Sequence, residues 1–145
     1  MTDSLDRIFT NAASGMSAQS IRMNTIASNL ANAGSVGGTD QDTYHKKFPI
    51  FSEVKNSIAG LNPEDQPIGG VNVTSIENSK KPLEKRYQPD NPSAGPDGNV
   101  YVTDVNPIEE MTNMIAASKE YEANVDVMNT AKNMVLQSLN VLNTK

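Results

Sequence analysis

"NTIASNLANAGS", residues 24–35, reads as the closing turns of a helix, yet no side chain in it carries a charge. Widening the window sharpens the anomaly: between Arg7 and Asp40 the only charged residue is Arg22. A helix that meets water normally carries Glu and Lys along its outer side. What this helix faces decides the architecture.

Apolar or small residues recur every seventh position across 4–33. Phe9, Met16, Met23 and Leu30 form one column; Leu5, Ala12, Ile26 and Ala33 form the other, with Gln19 interrupting it. Two such columns make the seam of a coiled coil. The position farthest from that seam holds Arg7, Ser14, Ile21, Ser28 and Ser35. Its neighbours are Thr10, Asn11, Ser17, Ala18, Asn24, Thr25, Ala31 and Asn32. Small side chains let backbones approach closely, and uncharged amides can be buried once hydrogen-bonded. The helix is suited to packing on every side, and its further partners are expected to be other subunits. Gly34, Gly37 and Gly38 are expected to stop it by supplying left-handed conformations.

The other end of the chain mirrors this. In "NPIEEM" Asn106 is the expected N-cap, Pro107 opens the first turn, and Glu109 is placed to reach back as in a capping box. Met114, Tyr121, Met128, Val135 and Leu142 repeat every seventh residue. Met111, Val125 and Leu139 fill the companion column, interrupted by Ser118 and Lys132. Such a helix of nearly 40 residues is about 55–60 Å long at 1.5 Å per residue. Leu139 and Leu142 are expected to be buried in the helix pair.

Between the helices, roughly 36–104, the composition changes. Seven of the eight prolines and most of the glycines lie there. "YHKKFPIFSEV" and "GGVNVTSIE" alternate as strands do, "GPDGNVYVTDV" reads as a turn and a strand, and "QPDNPSAGPDGN" as a loop. The expected fold is α+β, with N- and C-terminal helices pairing as an antiparallel coiled coil around a small, irregular, β-rich middle. The expected segments are 1–35, 36–104 and 105–145.

The totals exclude several functions. A net charge of −5 argues against non-specific nucleic-acid binding, and the absence of Cys removes disulfides, Cys-containing zinc sites and thiol catalysis. Aromatics are only 5%, so no large aromatic core is expected. "MTDSLDRIFTNAASG" lacks the basic and continuous apolar regions of a secretory signal, and no run reaches the ~18 apolar residues of a membrane span. Work outside the cytoplasm would need another export route, and no direct membrane insertion is expected.

No catalytic set stands out either. His45 is the only histidine and sits in a basic patch with Lys46 and Lys47, which suits a surface role. Asp90, Asp97 and Asn99 lack the acidic ladder and closing Glu of a calcium loop, and "GSVGG" lacks the Lys-Ser/Thr of a phosphate cradle. Glu109 and Glu110 are adjacent, hence about 100° apart on a helix, and read as capping and dipole compensation rather than paired catalytic acids. The methionines of the stripes read as adaptable packing. No enzyme, cofactor or metal is expected.

The same terminal segments carry a family resemblance. "NAASGMSAQSIRMNTIASNLANA" resembles the N-terminal signature of the bacterial flagellar axial proteins, which include the rod and hook subunits. "NVYVTDVNPIEEMTNMIAASKEYEANVDVMNTAKNM" resembles their C-terminal signature. The short length, "DVNPIEEMTNMI" and the preceding "GVNVTSIENSKKPLEKRYQPDNPSAGPDGNVYV" are most similar to the proximal-rod type. The resemblance covers nearly the whole chain, departing at the Gly-rich "GSVGGTDQDTYHKK".

This resemblance implies a structural subunit of the basal-body rod, the hollow shaft that spans the periplasm, transmits torque and encloses the export channel. It implies export through the flagellar type III apparatus. It implies partners among other copies of the chain, neighbouring rod proteins, and the membrane ring and export apparatus. The family's assembly motif falls on Ser14, Gly15, Met16, Gln19, Arg22, Asn24, Ala27, Asn29, Leu30, Asn32 and Ala33. At the other end it falls on Asn106, Pro107, Glu109, Glu110, Met111, Met114, Tyr121, Asn124, Asn129 and Thr130. The stripe residues Met23, Ile26, Val125, Met128, Val135, Leu139 and Leu142 complete the expected interface. The competing readings are another axial subunit, from a different part of the rod or from the hook, and a soluble coiled-coil adaptor; an adaptor would carry charged outer positions.

Overall fold

A computed structural model of the chain describes residues 2–54 and 69–143, with side chains over 4–54 and 69–140. The order of elements is α1 (Thr2–Ala31), β1 (Val36–Gly37), β2 (Lys47–Glu53), β3 (Val71–Asn78), β4 (Glu84–Tyr87), β5 (Asn99–Val102) and α2 (Pro107–Asn143). Two long helices and two small antiparallel sheets make this an α+β fold. The strands β1 and β4 carry no alternating sequence signal: one is two residues long, and the other, "EKRY", is exposed throughout.

The two helices touch at residues whose numbers rise on α1 as they fall on α2. A side chain at Gly15 would meet the amide of Asn124 at 2.9 Å, so the backbones lie close there. Gln19 and Arg22 reach Glu120, and Asn29 reaches Glu110. The seam on α2 is one residue round from the expected companion column. Glu110, Ala117 and Ala131 are buried and Asn124 half-buried, while Met111 and Leu139 are about half exposed. Val125 is half-buried, and the side chain of Leu142 lies outside the described residues. Helices at this separation accept small residues between them, which Ala117 and Ala131 supply and Met and Leu do not. Ser118 and Lys132, which interrupt the expected column, were the visible sign of the shift. In the other expected column, Met114, Tyr121, Met128 and Val135 are half-buried.

On α1 the seam holds Ala12 and Ile26, both buried, and Phe9, Met16 and Met23, half-buried; Leu30 is 37% exposed. The helix does not end on a left-handed glycine. Among the described residues only Gly70 and Gly98 have positive φ. Asn32 ends α1 instead: its side-chain amide donates to the Ser28 carbonyl, and its own carbonyl accepts from the backbone N–H and hydroxyl of Ser35. Gly98, at φ 70°, closes the turn before β5, where a side chain would strike the Tyr87 ring.

The sheets divide the middle. β2 and β3 pair antiparallel from Lys47↔Asn78 to Glu53↔Val71, with an irregularity between Ile50 and Phe51. The second sheet has the order β1-β5-β4, in which Val102 pairs with both Val36 and Glu84. The β2–β3 hairpin lies along α1. The Ser14 hydroxyl accepts from the Val71 N–H at 3.2 Å, and the Ser28 hydroxyl meets the Tyr44 hydroxyl at 3.1 Å. The column expected to face farthest outward is therefore partly covered by the chain's own middle region. Among the described residues the buried apolar side chains are aliphatic, half of them alanine: Ala12, Ala18, Ile26, Leu83, Val100, Val105, Ala117 and Ala131, with no aromatic among them.

Candidate assembly interface

Three segments meet at a buried polar junction: the end of α1, the approach to β2 and the start of α2. Asn29 is 1% exposed, and its amide is fully used. Its nitrogen donates to the Lys47 carbonyl at 2.7 Å and to the Glu110 carboxylate at 2.8 Å. Its oxygen accepts from the Lys47 N–H at 2.8 Å and the Tyr44 hydroxyl at 2.9 Å. Glu110, also 1% exposed, pairs with the Lys46 ammonium at 3.0 Å. That ammonium also holds Glu109 at 2.7 Å, and the Lys46 N–H donates to Asp104 at 2.7 Å.

This arrangement corrects the reading of the two acids. Asn106 is the N-cap, its side-chain oxygen accepting from the N–H of Ile108 at 3.0 Å and of Glu109 at 3.5 Å. Glu109, however, turns to Lys46 instead of closing a capping box, and Glu110 is a buried anchor rather than a surface dipole partner. A buried carboxylate persists only where it is paired and hydrogen-bonded, as here. Lys46, Tyr44 and Asp104 had no sequence signal, because nothing in their spacing announces which acid they will meet.

Burial opposes the charge on Lys46, but its bonds to Glu109 and Glu110 outweigh it and hold the ammonium above its ordinary pKa of 10.5. Burial likewise opposes the Asp104 charge, and the hydrogen bonds from Ser79 and from the Lys46 backbone overcome it, holding the carboxyl below its ordinary value. The signs follow. Asp104 stabilises the fold at pH above the ordinary carboxylate range, and that contribution is lost as pH falls through its folded value. Lys46 stabilises it fully below 10.5 and ceases to as pH rises through its raised value. The urea midpoint is therefore expected to be flat between these limits and to fall on both sides. Asp104→Asn should shallow the acid limb; an unchanged acid limb would contradict the assignment.

The outer side of α1 is the second feature. From Ile8 to Ala31 every exposed residue of α1 is uncharged: Ile8, Thr10, Asn11, Ala13, Ser17, Asn24, Ala27, Leu30 and Ala31. Among them Thr10, Ser17, Asn24 and Ala31 recur every seventh residue, and Ala13, half-buried Ser20 and Ala27 form the column beside them. These are two further heptad columns, on a face that α2 and the hairpin leave open. Sequence reasoning placed the outermost column one residue away, on Ser14, Ile21 and Ser28, which are half-buried.

The other expected interface residues divide between these settings. Ser14, Gly15, Met16, Gln19, Arg22, Met23, Ile26, Asn29, Asn32 and Ala33 are buried or half-buried within the chain. Asn24, Ala27 and Leu30 are exposed, as are Asn106, Pro107, Glu109, Met111, Asn129, Thr130 and Leu139. His45 is half-buried, its Nε2 lying 3.1 Å from the Asp40 carbonyl oxygen. Asp97 accepts from both the side chain and the backbone of Asn99, an Asx turn that leads into β5.

Comparison with known proteins bears on both helices. Residues 9–37 match the family described as flagella basal body rod protein, and residues 97–141 match the C-terminal region of flagellar basal body rod FlgEFG proteins. The flagellar basal-body rod protein FlgC of Buchnera aphidicola subsp. Schizaphis graminum is 44% identical over 139 residues, covering 95% of this chain and 98% of its own length. FlgC of Salmonella typhimurium is 42% identical over 132 residues, covering 91% and 93%. FlgC of Borreliella burgdorferi is 37% identical over 141 residues, covering 90% and 93%.

Proposed function

Since this chain belongs to the family of flagellar basal-body rod proteins of FlgC type, we propose that it builds the proximal rod by packing its helices against neighbouring subunits. It is a structural subunit of the flagellar basal body, not an enzyme. Within each subunit, α1 and α2 pair as an antiparallel coiled coil, and the polar junction at Asn29 and Glu110 fixes the middle region against that pair. The second set of heptad columns on α1 packs against other helices of the rod, from further copies and from neighbouring rod proteins.

The observation that carries this reading is the uncharged outer face of α1 in a chain of this family. A solvated adaptor helix would carry charges there. Packed side by side, such subunits form the hollow shaft that transmits torque and encloses the export channel, and the chain reaches its place through the flagellar type III apparatus. No helix among the described residues is long and apolar enough to cross a membrane.

Deletion of the gene tests the reading. Cells are expected to be non-motile, with rings in the membrane and no completed rod, and a tagged copy should restore swimming and co-purify with basal bodies. Motile deletion cells, or basal bodies devoid of the tagged chain, would contradict it.

A further inference from the structure

Among the described residues, a groove beside α2 and an exposed stripe on that helix remain unused by the fold. The groove, about 490 Å³, opens between α1, α2 and β2 and is walled by Ile26, Phe48 and Phe51, with Arg22, Lys46, Lys47 and the Lys46-paired Glu110 at its polar edges. Phe48 and Phe51 are 39% and 42% exposed. Its volume falls in the ~300–1,000 Å³ range of pockets that enclose a ligand of several side chains' size. The stripe is on the first turns of α2: Ile108, Met111 and Ile115 are 74%, 49% and 59% exposed and share one face at spacings of three and four.

The charges of the two are complementary. Beyond Ile115 the same face carries Lys119, then Glu122 and Asp126, at spacings of four, three and four, so two acids outweigh one cation there. Around the groove, Arg22 and Lys46 pair with acids of their own chain, but Lys47 does not. Lys47 lies over the Tyr44 ring, and no carboxylate among the described residues comes within ion-pair distance of it.

Geometry then selects the partner. Asn113 lines the groove while Met111 and Ile115 belong to the stripe, and residues two apart on a helix point about 200° apart. Groove and stripe thus lie on opposite sides of the same helix, so neither can satisfy the other within one chain. Two complementary patches on opposite sides of one subunit make a head-to-tail contact that propagates instead of closing into a two-fold dimer. We propose that the groove of one subunit receives the Ile108–Met111–Ile115 stripe of a second copy, with Glu122 of the stripe meeting Lys47. This rests on the reading of the chain as a rod subunit and adds which surfaces of two copies meet.

The chain has no Cys, so introduced thiols are unique. Phe51→Cys and Met111→Cys, together in one chain that replaces the natural one, should give disulfide-linked dimers and higher multiples when purified basal bodies are oxidised, reversed by reductant. Phe48→Cys with Ile115→Cys is the second pair. Each single-Cys variant should remain monomeric on the gel, because a head-to-tail contact never brings like residues together. Basal bodies that contain the double variants but give only monomer with both pairs would overturn the proposal. So would dimers from the single variants, or a cross-link to a rod protein of different mass. A tagged natural chain absent from basal bodies would instead overturn the rod assignment itself.

Discussion

Replacing Glu110 by alanine is expected to destabilise the isolated subunit by about 2–3 kcal/mol, a large share of the ~5–15 kcal/mol that holds a domain of this kind. The carboxylate is 1% exposed and joins α2 to both Asn29 and Lys46. Removing one partner of a buried ion pair typically costs ~3–5 kcal/mol, because the other charge is left without compensation. Here Lys46 keeps Glu109, and its side chain is 22% exposed, which lowers the figure. Asn29 keeps its bond to the Lys47 carbonyl but loses its second acceptor. Glu110→Gln, which preserves volume and an acceptor, should cost about half as much. The urea midpoint by far-UV circular dichroism reads both; a Glu110→Ala midpoint equal to the natural one would mean that the junction does not hold the fold together.

A different result is expected from Ala27→Glu. Ala27 is exposed in the subunit, on the second pair of heptad columns. Exposed substitutions usually shift stability by no more than ~0.5 kcal/mol, so the isolated variant should unfold at the natural midpoint. On the packing proposed above, the same position in the assembled rod lies against a neighbouring helix. An unpaired carboxylate there costs several kcal/mol, and the defect recurs at every copy. The expected outcome is normal expression and export with no completed rods and no swimming. Ser28→Glu is the less informative change, because the Ser28 hydroxyl already meets Tyr44 and the substitution would disturb the subunit itself. Normal yields of basal bodies with Ala27→Glu would remove the argument from the uncharged face.

The contrast between the two substitutions marks what the sequence could and could not disclose. Heptad periodicity gave both helices, and the prolines and glycines gave the middle region, because those signals are local. The alternation of "YHKKFPIFSEV" and "GGVNVTSIE" gave β2 and β3 for the same reason. Which column of α2 enters the seam was not legible: Met111 and Leu139 are the more apolar, yet Ala117 and Ala131 allow the approach that Gly15 opens on the other helix. The burial of Glu110 was equally hidden, since it depends on Lys46 and Asn29, 64 and 81 positions away in the chain. The missing charges of α1 pointed to packing on further sides, with other subunits as the expected partners; that its own hairpin covers part of those sides was not legible.

The account rests on the outer face of α1 being covered in the rod and open in the subunit. Ala27→Cys, the sole thiol of its chain, allows that to be measured directly with a small maleimide. The dissociated subunit should react at the rate of an exposed thiol, and the same residue in purified, intact basal bodies should be protected by at least an order of magnitude until the rod is taken apart. Equal labelling rates in the two states would contradict the account.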